Sequence, residues 1–600
     1  MKPLIICEKP SATQIVANAL GDKVIHKTKE YFETSKYYFT YNFGHLFELK
    51  MPNEYPELAD KDRLSFKKPE RWKLKIKKGC STQFNAIKQL MNSPNVSFII
   101  NCGDAGREGE LIFRYTYLMS GSKKEVKRMW LSSMEDSAIR KEINNLKPSR
   151  QYDNLFSCAL ARQYADWLVG MNASGYYYGS VGRVRTPTLQ LIIDRENEIA
   201  NFVSKTYYKL NALLNKENNV IANSETSIED KAQAIKLSQI IKSLKVKDVK
   251  QENKSVNSPQ LLDLTSLQRD CNKAYGFTAS KTLSVLQTLY ERKLTTYPRT
   301  DSRYLTNDMG DELANRVRDF KHIIGKDSLI TSNIKKNLNS SKVGDHYAII
   351  TTVNLNSGSY AKLNSDEKAI INMIGVSMIK ATMLPYKYIE QVATFYTNNG
   401  IDFKCVQNKI VDLGFRAVDK NKPNGVSTFF NFIKDKEYPI LKMDMVEGKT
   451  QPPSHFTEAT LLTAMEKAGS KETDKDAERK GMGTPATRSG IIEEMISKGL
   501  MERNKKMLLP TAKGISLNKR VNEKIKSPLL TAEFENKLLL ISRGEYSRDA
   551  FLKEIEELLD KCLQEAKANP IKFESNGFNN NFKKKSFSKK PFKKFKKWKQ

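Results

Sequence analysis

An apolar strand pattern that runs directly into an amphipathic helix occurs twice near the start of the sequence. The first unit is PLIIC followed by SATQIVANAL, and the second is VSFIINCGDAGREGELIFRYTYLM. Because a sheet must cover its apolar faces with helices, this alternation predicts an α/β domain. The chain has 600 residues, which is more than one hydrophobic core can serve, so further domains must follow.

The later segments change from one periodicity to another. Residues 151–200 have helical spacing, and NFVSKTYYKLNALLNKENNVIANSET alternates as strands do. The segment from Leu264 to Lys293 predicts two amphipathic helices around Gly276, a helix-turn-helix arrangement. Strand patterns return at 390–445 and indicate a β domain that the helical insertion interrupts. Helix, strand, turn and strand then follow in TPATRSGIIEEMISKGLMERNKKMLLPTAKG, the outline of a winged helix.

Charge and cysteine usage narrow the class of protein. A total of 100 Lys+Arg against 68 Asp+Glu gives a formal charge of +32, which favours nucleic acid as a partner, with mere solubility as the alternative. The seven cysteines contain no C-x-x-C pair, so neither a zinc ribbon nor a disulfide framework is indicated. The apolar run before Glu8 is too short for a signal peptide, and no stretch approaches membrane-spanning length. We expect a cytoplasmic protein with no membrane contact.

Several carboxylates follow the two apolar strands. Asp104 ends one strand, and Glu108 and Glu110 open the next helix. Glu8, beside Lys9, ends the other strand, and ligands gather outside the carboxyl ends of strands in open α/β sheets. Carboxylate oxygens, together with water and substrate phosphate, suit Mg²⁺. The alternative is an ordinary acidic first helical turn that the helix dipole stabilises.

The segment LTTYPRTDSRYL combines a tyrosine with two arginines. Tyr297 directly precedes Pro298, which favours extended backbone, and Arg299 and Arg303 follow closely. An arginine can clamp a phosphate and stabilise charge that develops on it, and a tyrosine hydroxyl can then attack that phosphate as a nucleophile. From these residues alone, the alternative is a tyrosine that packs its ring while the arginines face solvent.

The chain resembles the type IA DNA topoisomerases, and most of all the topoisomerase III group. The resemblance covers ten segments that occur in the family's order from Leu4 to Met495: LIICEKPSATQIVANAL, FGHLFEL, DAGREGELIFRY, MWLSSM, ARQYADWLVGMNAS, SVGRVRTPTLQLIIDRE, LTTYPRTDSRYL, HYAIITT, FTEATLLTAME and GMGTPATRSGIIEEM. The acidic motif alone would also fit a nuclease or a primase with the same Toprim domain. A Toprim nuclease or primase does not need the segment TTYPRTDSRY for its activity.

The resemblance implies a multidomain protein that combines α/β, mainly-α and β parts in the shape of a padlock around a hole for DNA. The expected divisions are a Toprim α/β domain at 1–150, a helical single-strand-groove domain at 151–205 and 455–570, a β arch at 206–262 and 372–454, a helix-turn-helix domain with Tyr297 at 263–371, and a disordered basic tail at 571–600.

The resemblance also implies an ATP-independent enzyme that cleaves one DNA strand through a transient 5′-phosphotyrosine on Tyr297, passes a strand through the gap and reseals it. Glu8 matches a catalytic carboxylate, and Lys9 matches the lysine that protonates the leaving 3′-oxygen. Arg299 matches the arginine that holds the phosphate, and His346 matches a histidine near the DNA. The implied cofactor is Mg²⁺, without ATP or zinc, and its candidate ligands are Asp104, Glu108, Glu8 and Glu110.

Further matching positions belong to the family's single-strand groove: Arg162, Asp166, Arg183, Arg185, Thr186, Ser302, Arg303, Glu458, Thr484 and Arg488. Some of them are expected to hold domains together instead. The implied substrates are single-stranded and negatively supercoiled DNA. The sequence leaves open whether relaxation or decatenation dominates, whether RNA is a substrate, and whether a RecQ-type helicase or a single-strand-binding protein is a partner.

Two positions depart from the family pattern. The acidic motif usually reads D-x-D-x-E, and Gly106 stands at its middle position in this chain. One expected Mg²⁺ ligand is therefore missing, which leaves a catalytically impaired single-strand-binding protein as an alternative. Arg185 stands where glutamine is expected in GRVQTP, and it adds a cation to the groove.

The segment from Lys572 to Gln600 contains eleven Lys and one Glu, a formal charge of +10, and no aliphatic side chain that could form a core. Six Phe and Trp598 are interleaved with the lysines. This composition predicts disorder. Lysines attract phosphates, and aromatic rings add base stacking that salt screens less. We interpret the segment as a flexible DNA-tethering arm, with a solubilising or protein-binding tail as the alternative.

Removal of residues 571–600 should weaken binding to single-stranded DNA and flatten its salt dependence, because lysine contacts with phosphates are lost. Cleavage by Tyr297 should persist when DNA is in excess, since the arm only raises the local concentration of substrate. Binding titrations of the full-length and truncated chains at several salt concentrations measure both effects. Equal affinities and equal salt slopes would contradict the interpretation.

Overall fold

The computed structural model describes residues 1–131, 134–343, 346–468 and 481–569. The amino-terminal part alternates strands and helices, as predicted. Its elements are β1 (Lys2–Cys7), α1 (Pro10–Leu20), β2 (Val24–Lys27), β3 (Tyr31–Thr34), β4 (Tyr38–Tyr41), β5 (Phe47–Leu49), α2 (Pro56–Ala59), β6 (Leu74–Ile76), α3 (Ser81–Asn92), β7 (Val96–Cys102), α4 (Arg107–Ser120), β8 (Val126–Arg128), α5 (Asp136–Ile143) and β9 (Lys147–Pro148).

Strand β1 lies at the centre of a seven-stranded sheet in the order β2-β3-β4-β1-β7-β8-β9. It pairs in parallel with β4 and β7, so the two predicted strand-to-helix units, β1–α1 and β7–α4, are confirmed. Helix α1 begins at Pro10, which has no N–H to leave unpaired, and ends at Gly21 in the left-handed conformation with φ 70°. We call this sheet and its helices the amino-terminal body.

Two helices follow, α6 (Asp153–Tyr176) and α7 (Arg185–Ala200), and confirm the helical pattern predicted at 151–200. The chain then enters a second sheet with β10 (Thr206–Asn215), β11 (Val220–Ser224), α8 (Lys231–Ile240) and β12 (Ser243–Val256). It leaves that sheet for α9 (Leu264–Tyr275), α10 (Ala279–Glu291), α11 (Gly310–Ile323), α12 (Ser357–Ala361) and α13 (Ser365–Thr382). It returns with β13 (Tyr386–Tyr396), β14 (Phe403–Asp412), β15 (Glu437–Pro439) and β16 (Lys442–Lys449).

The second sheet has the order β15-β12-β13-β14-β11-β10-β16. Its strands therefore come from both sides of the helical insertion, which confirms the predicted interruption. Within the insertion, α9 and α10 flank Gly276, whose φ of 70° ends α9, and they form the predicted helix-turn-helix pair. These helices share one apolar core with α11 and α13, and we call residues 261–383 the tyrosine-bearing body.

The last helices and strands are α14 (Glu458–Lys467), α15 (Pro485–Ser497), β17 (Met501–Asn504), β18 (Met507–Pro510), α16 (Ala512–Arg520), α17 (Glu523–Lys526), α18 (Pro528–Arg543) and α19 (Arg548–Ala568). The predicted winged-helix outline is confirmed by α15 and the antiparallel pair β17–β18. These elements share one core with α6 and α7 across a long sequence separation, and we call them together the helical body.

The division of the chain at the predicted domain boundaries stays a prediction. The segment 571–600, predicted to be a disordered arm, lies outside the described residues. Within the described ranges, no helix is both long enough and apolar enough to cross a membrane.

Candidate active site

Two carboxylates meet at the carboxyl ends of the central strands. Cys7 of β1 is the register partner of Cys102 of β7, so the residues that follow them, Glu8 and Asp104, enter the same space. Glu8 is buried, and its pKa is raised to about 7, first by burial and next by repulsion from Asp104. Lys9 and Arg299 oppose this shift. The structure thus places Glu8 and Asp104 next to each other.

Tyr297 reaches this carboxylate pair from the tyrosine-bearing body. Its hydroxyl donates a hydrogen bond to Oδ2 of Asp104 at 3.5 Å. Its ring stacks on His346 with the centroids 4.0 Å apart and meets the edge of Tyr290 at 5.5 Å. The side chain is buried, and burial followed by the charge of Asp104 raises its pKa well above the usual range, although Arg299 opposes the shift. The hydroxyl is therefore neutral in this structure.

His346 joins the two bodies through a short hydrogen bond from Nε2 to the carbonyl oxygen of Ala105. Burial lowers the pKa of His346 to about 4, so the ring is neutral and Nε2 carries the proton. Within the described parts of the chain, its buried Nδ1 has no hydrogen-bond partner. That nitrogen is left as an acceptor beside the tyrosine ring.

Lys9 and Arg299 are the cations of the site. The Nζ of Lys9 lies 3.9 Å from Oε1 of Glu291, which is on helix α10 of the tyrosine-bearing body. Arg299 faces a cleft of about 850 Å³ together with Glu8, Asp104, Tyr297 and His346. Four of the five predicted catalytic side chains thus come from two bodies to line one cleft, and Lys9 lies in a smaller neighbouring pocket that Asp104 also lines.

The structure corrects the expectation that Glu110 faces the metal site. Glu110 is fully buried, accepts from Asn101 and pairs with Arg114 at 2.7 Å and Arg128 at 3.2 Å. Residues two apart on a helix point about 200° apart, so Glu108 and Glu110 cannot face the same site. In the first turn of α4, Glu108 therefore faces the cleft and Glu110 faces the protein interior.

Gly106, where the family pattern has aspartate, has φ 149° and ψ 169°. This region of backbone space is open to glycine and strained for a residue that carries Cβ. It lets the chain turn sharply from Asp104 into α4, and the carbonyl of Asp104 lies 2.1 Å from the place a Cβ on Gly109 would occupy. The absence of a carboxylate at position 106 therefore fits the backbone conformation of this turn.

Glu108 begins a series of ion pairs beside the cleft that ends at its sequence neighbour Arg107. It meets Arg162 at 3.1 Å, Arg162 meets Asp166 at 3.7 Å, and Asp166 meets Arg183 at 2.9 Å. Arg183 then meets Glu535 at 2.9 Å, and Glu535 meets Arg107 at 3.5 Å, the neighbour of Glu108 in sequence. His45 also lies 3.3 Å from Glu108. We call these six alternating charges the charged ring: Arg107, Glu108, Arg162, Asp166, Arg183 and Glu535.

Four of the predicted groove residues line the cleft, namely Arg162, Ser302, Thr484 and Arg488. The others make internal contacts around it. Asp166 and Arg183 belong to the charged ring, Arg185 pairs with Glu494, and Arg303 pairs with Asp263. The hydroxyl of Thr186 accepts from Gly182, and Glu458 is buried against the backbone N–H of Ala279 and the guanidinium of Arg503.

Sequence reasoning did not single out Glu535, Arg107 or Glu291. Glu535 and its partner Arg183 are 352 positions apart, so no local spacing connects them. His45 could have been found, because it lies inside FGHLFEL, one of the segments that carry the family resemblance.

Comparisons with known proteins show which family the chain resembles. A family model described as DNA topoisomerase matches residues 150–553. DNA topoisomerase 3 of Bacillus licheniformis is 34% identical over 607 residues, which cover 95% of this chain and 82% of that protein. DNA topoisomerase 3 of Staphylococcus saprophyticus is 35% identical, with 94% and 82% covered. Among solved structures, full-length topoisomerase I from Thermotoga maritima has the same fold, with a TM-score of 0.73, 23% identity and 93% and 90% coverage.

A buried tyrosine held against paired carboxylates at the edge of an α/β sheet is an arrangement that suits an enzyme of phosphoryl transfer. The extent of the sequence matches settles the assignment, and the chain belongs to the DNA topoisomerase family.

Replacement of Glu535 by Gln should destabilise the helical body by about 3 kcal/mol, because Arg107 is left without its carboxylate and buried Arg183 keeps only Asp166. Chemical denaturation followed by circular dichroism measures the change. Glu533→Gln, an exposed carboxylate on the same helix, is the matched control and should change little. Equal stability of the two variants would show that the charged ring does not support the fold.

Proposed function

We propose that this topoisomerase acts through Tyr297, which attacks a phosphate of one DNA strand and forms a 5′-phosphotyrosine. The cleaved strand would separate, another strand would pass, and the bond would be resealed, so that negative supercoils relax or linked DNA separates. The observation that carries the proposal is the contact of the Tyr297 hydroxyl with Asp104 beside Glu8 and Arg299, on the wall of an open cleft. Single-stranded and negatively supercoiled DNA are the proposed substrates.

The proposed cleavage step exchanges one phosphodiester for another. The Tyr297 oxygen bonds to phosphorus, the bond from phosphorus to the 3′-oxygen breaks, and that oxygen takes a proton. Lys9 carries a proton that can be delivered there, and Arg299 can hold the phosphate oxygens as charge develops. Glu8, with a pKa of about 7, can exchange a proton at neutral pH and so can accept the one that Tyr297 loses.

The exchange also accounts for the absence of an ATP requirement in this family. The phosphotyrosine bond replaces a bond of similar energy, and attack of the 3′-hydroxyl on it restores the DNA and the free tyrosine. The proton path then runs in reverse, with Lys9 acting as the base and Glu8 as the acid. The sequence accordingly contains no G-x-x-x-x-G-K-[ST] phosphate loop.

Mg²⁺ fits the carboxylate pair of Glu8 and Asp104. Their mutual repulsion contributes to the raised pKa of Glu8, and a divalent cation between them would relieve it. Across the described residues no group of three or more His, Cys, Asp or Glu side chains forms a metal cage. The proposed Mg²⁺ would therefore be held by these two carboxylates, with water and substrate phosphate as further ligands. When bound, the ion would neutralise charge on the phosphate that Tyr297 attacks.

Tyr297→Phe should abolish relaxation of a negatively supercoiled plasmid and remove the covalent protein–DNA adduct, because only the attacking oxygen is lost. Binding to single-stranded DNA should remain within about twofold, since the charges of the cleft are unchanged. Agarose gels, denaturing gels and binding titrations measure the three properties. Tyr304→Phe is the control: the Tyr304 hydroxyl accepts from Gln260 and lies outside the cleft, so this variant should relax plasmid normally. Plasmid relaxation by the Tyr297→Phe variant would exclude Tyr297 as the nucleophile.

Gly106→Asp and Gly106→Ala should both lower stability by about 1–3 kcal/mol, because each places Cβ at φ 149°. The comparison between them isolates the carboxylate. Relaxation by the Asp variant should require less Mg²⁺ than relaxation by the Ala variant, since a third carboxylate is added to the site. Magnesium titrations of plasmid relaxation measure the requirement. An equal requirement in the two variants would show that this position does not face the ion.

A further inference from the structure

Lys293 has a backbone conformation that its residue type does not favour. Its φ is 61°, in the left-handed region where a side chain with Cβ is strained and glycine is not. Its N–H donates to the carbonyl of Tyr290 at 2.8 Å, and its carbonyl accepts from Thr352 and Asn354. The tyrosine-bearing body thus fixes this residue at the turn between helix α10 and the segment of Tyr297. Strained backbone that the surrounding structure holds in place occurs mainly at functional sites.

The side chain of Lys293 crosses to the amino-terminal body. Its ammonium forms a close ion pair with Asp136, the first residue of α5. Helix α5 is anchored in that body by buried Ile139 and by Arg140, whose Nε donates to the carbonyl of Ala19 at 2.7 Å. The pair therefore links two bodies that carry different halves of the active site.

A second contact lies directly beside the first. Oε1 of Glu135, the residue before Asp136, accepts from the backbone N–H of Val353 at 3.4 Å. Val353 follows Thr352, which binds the Lys293 carbonyl. Two adjacent acidic residues of the amino-terminal body thus hold two neighbouring groups of the tyrosine-bearing body. We call the four residues Glu135, Asp136, Lys293 and Val353 the α5 contact.

The α5 contact differs from two of the other links between these bodies, and like the Lys9–Glu291 pair it lies outside the cleft. Tyr297 to Asp104 and His346 to Ala105 join residues that line the cleft, where substrate must enter. The residues of the α5 contact do not line that cleft. Substrate can therefore replace the links in the active site while the α5 contact stays in place. After strand cleavage, this contact is one of the interactions that still oppose separation of the two bodies.

We propose that the Lys293–Asp136 pair is a positioning contact for the reaction, one that holds the tyrosine-bearing body closed on the amino-terminal body and must break before a strand can pass. The inference rests on the proposed role of Tyr297. Cleavage and resealing occur in the closed arrangement, whereas the cleaved and separated state lacks this pair. The contact therefore favours resealing over separation without touching DNA.

Lys293→Gly should raise the fraction of a single-stranded oligonucleotide trapped as covalent adduct by about two- to fivefold, the range expected for loss of one partly exposed ion pair. Glycine accepts φ 61° without strain, so the melting temperature should not fall. Asp136→Asn, which removes the charge from the other body, should raise the adduct fraction similarly. Affinity for an uncleavable oligonucleotide should be unchanged in both variants.

Asp366→Asn is the matched control. Asp366 also lies in the first turn of a helix and pairs with a lysine, Lys281, at 2.9 Å, but both residues belong to the tyrosine-bearing body. This variant should leave the adduct fraction unchanged. A change equal to that of Asp136→Asn would overturn the proposal, because a pair within one body would then have the same effect as the pair that joins two.

Charge reversal provides the decisive comparison. Lys293→Asp and Asp136→Lys each place like charges opposite each other and should raise the adduct fraction, whereas the double variant restores attraction and should return it toward the parent value. Additive effects would overturn the proposal. If the parent chain forms no adduct at all, the role of Tyr297 fails, and that outcome is distinct from a parent that forms adduct with an additive double variant.

Discussion

The parallel register of the two central strands determines where the candidate active site forms. Because Cys7 and Cys102 are partners, the chain turns that follow them bring Glu8 and Asp104 into one buried space where their negative charges repel. Such a pair persists only if cations or protons compensate it. Lys9 and Arg299 supply positive charge, Glu8 has a raised pKa, and the Tyr297 hydroxyl donates to Asp104. Each of these groups thus offsets the repulsion between Glu8 and Asp104.

The charged ring extends this compensation beside the cleft. Its arginines and carboxylates come from α4, α6, α18 and the loop before α7, so it joins the amino-terminal body to the helical body. The tyrosine-bearing body makes its own contacts with the amino-terminal body, through His346, Lys293 and Glu291. The amino-terminal body is therefore joined to one neighbour by a series of ion pairs and to the other by a few separate contacts.

The sequence was sufficient for those parts of the molecule that periodicity and local motifs define. The β1–α1 and β7–α4 units, the helix pair around Gly276 and the winged-helix outline are all present, since their apolar spacing reflects the faces they bury. The positions of Tyr297, Arg299, Lys9 and Glu8 followed from motifs. Glu110 was misassigned because an acidic first turn does not reveal which side of the helix faces the site. Glu535 was missed because its partners are distant in sequence, and Lys293 because backbone strain has no signature in composition.

The conformation of Gly106 also bears on how such a site can change over time. A mutation of Gly106 that introduces a carboxylate would strain the backbone, because the turn at φ 149° accepts glycine alone with ease. This cost would apply whether or not the carboxylate bound a metal ion. The surrounding turn would have to be rebuilt first, by changes at neighbouring positions. The residue at position 106 and the shape of the turn are thus coupled, and a carboxylate there would cost stability unless its neighbours changed with it.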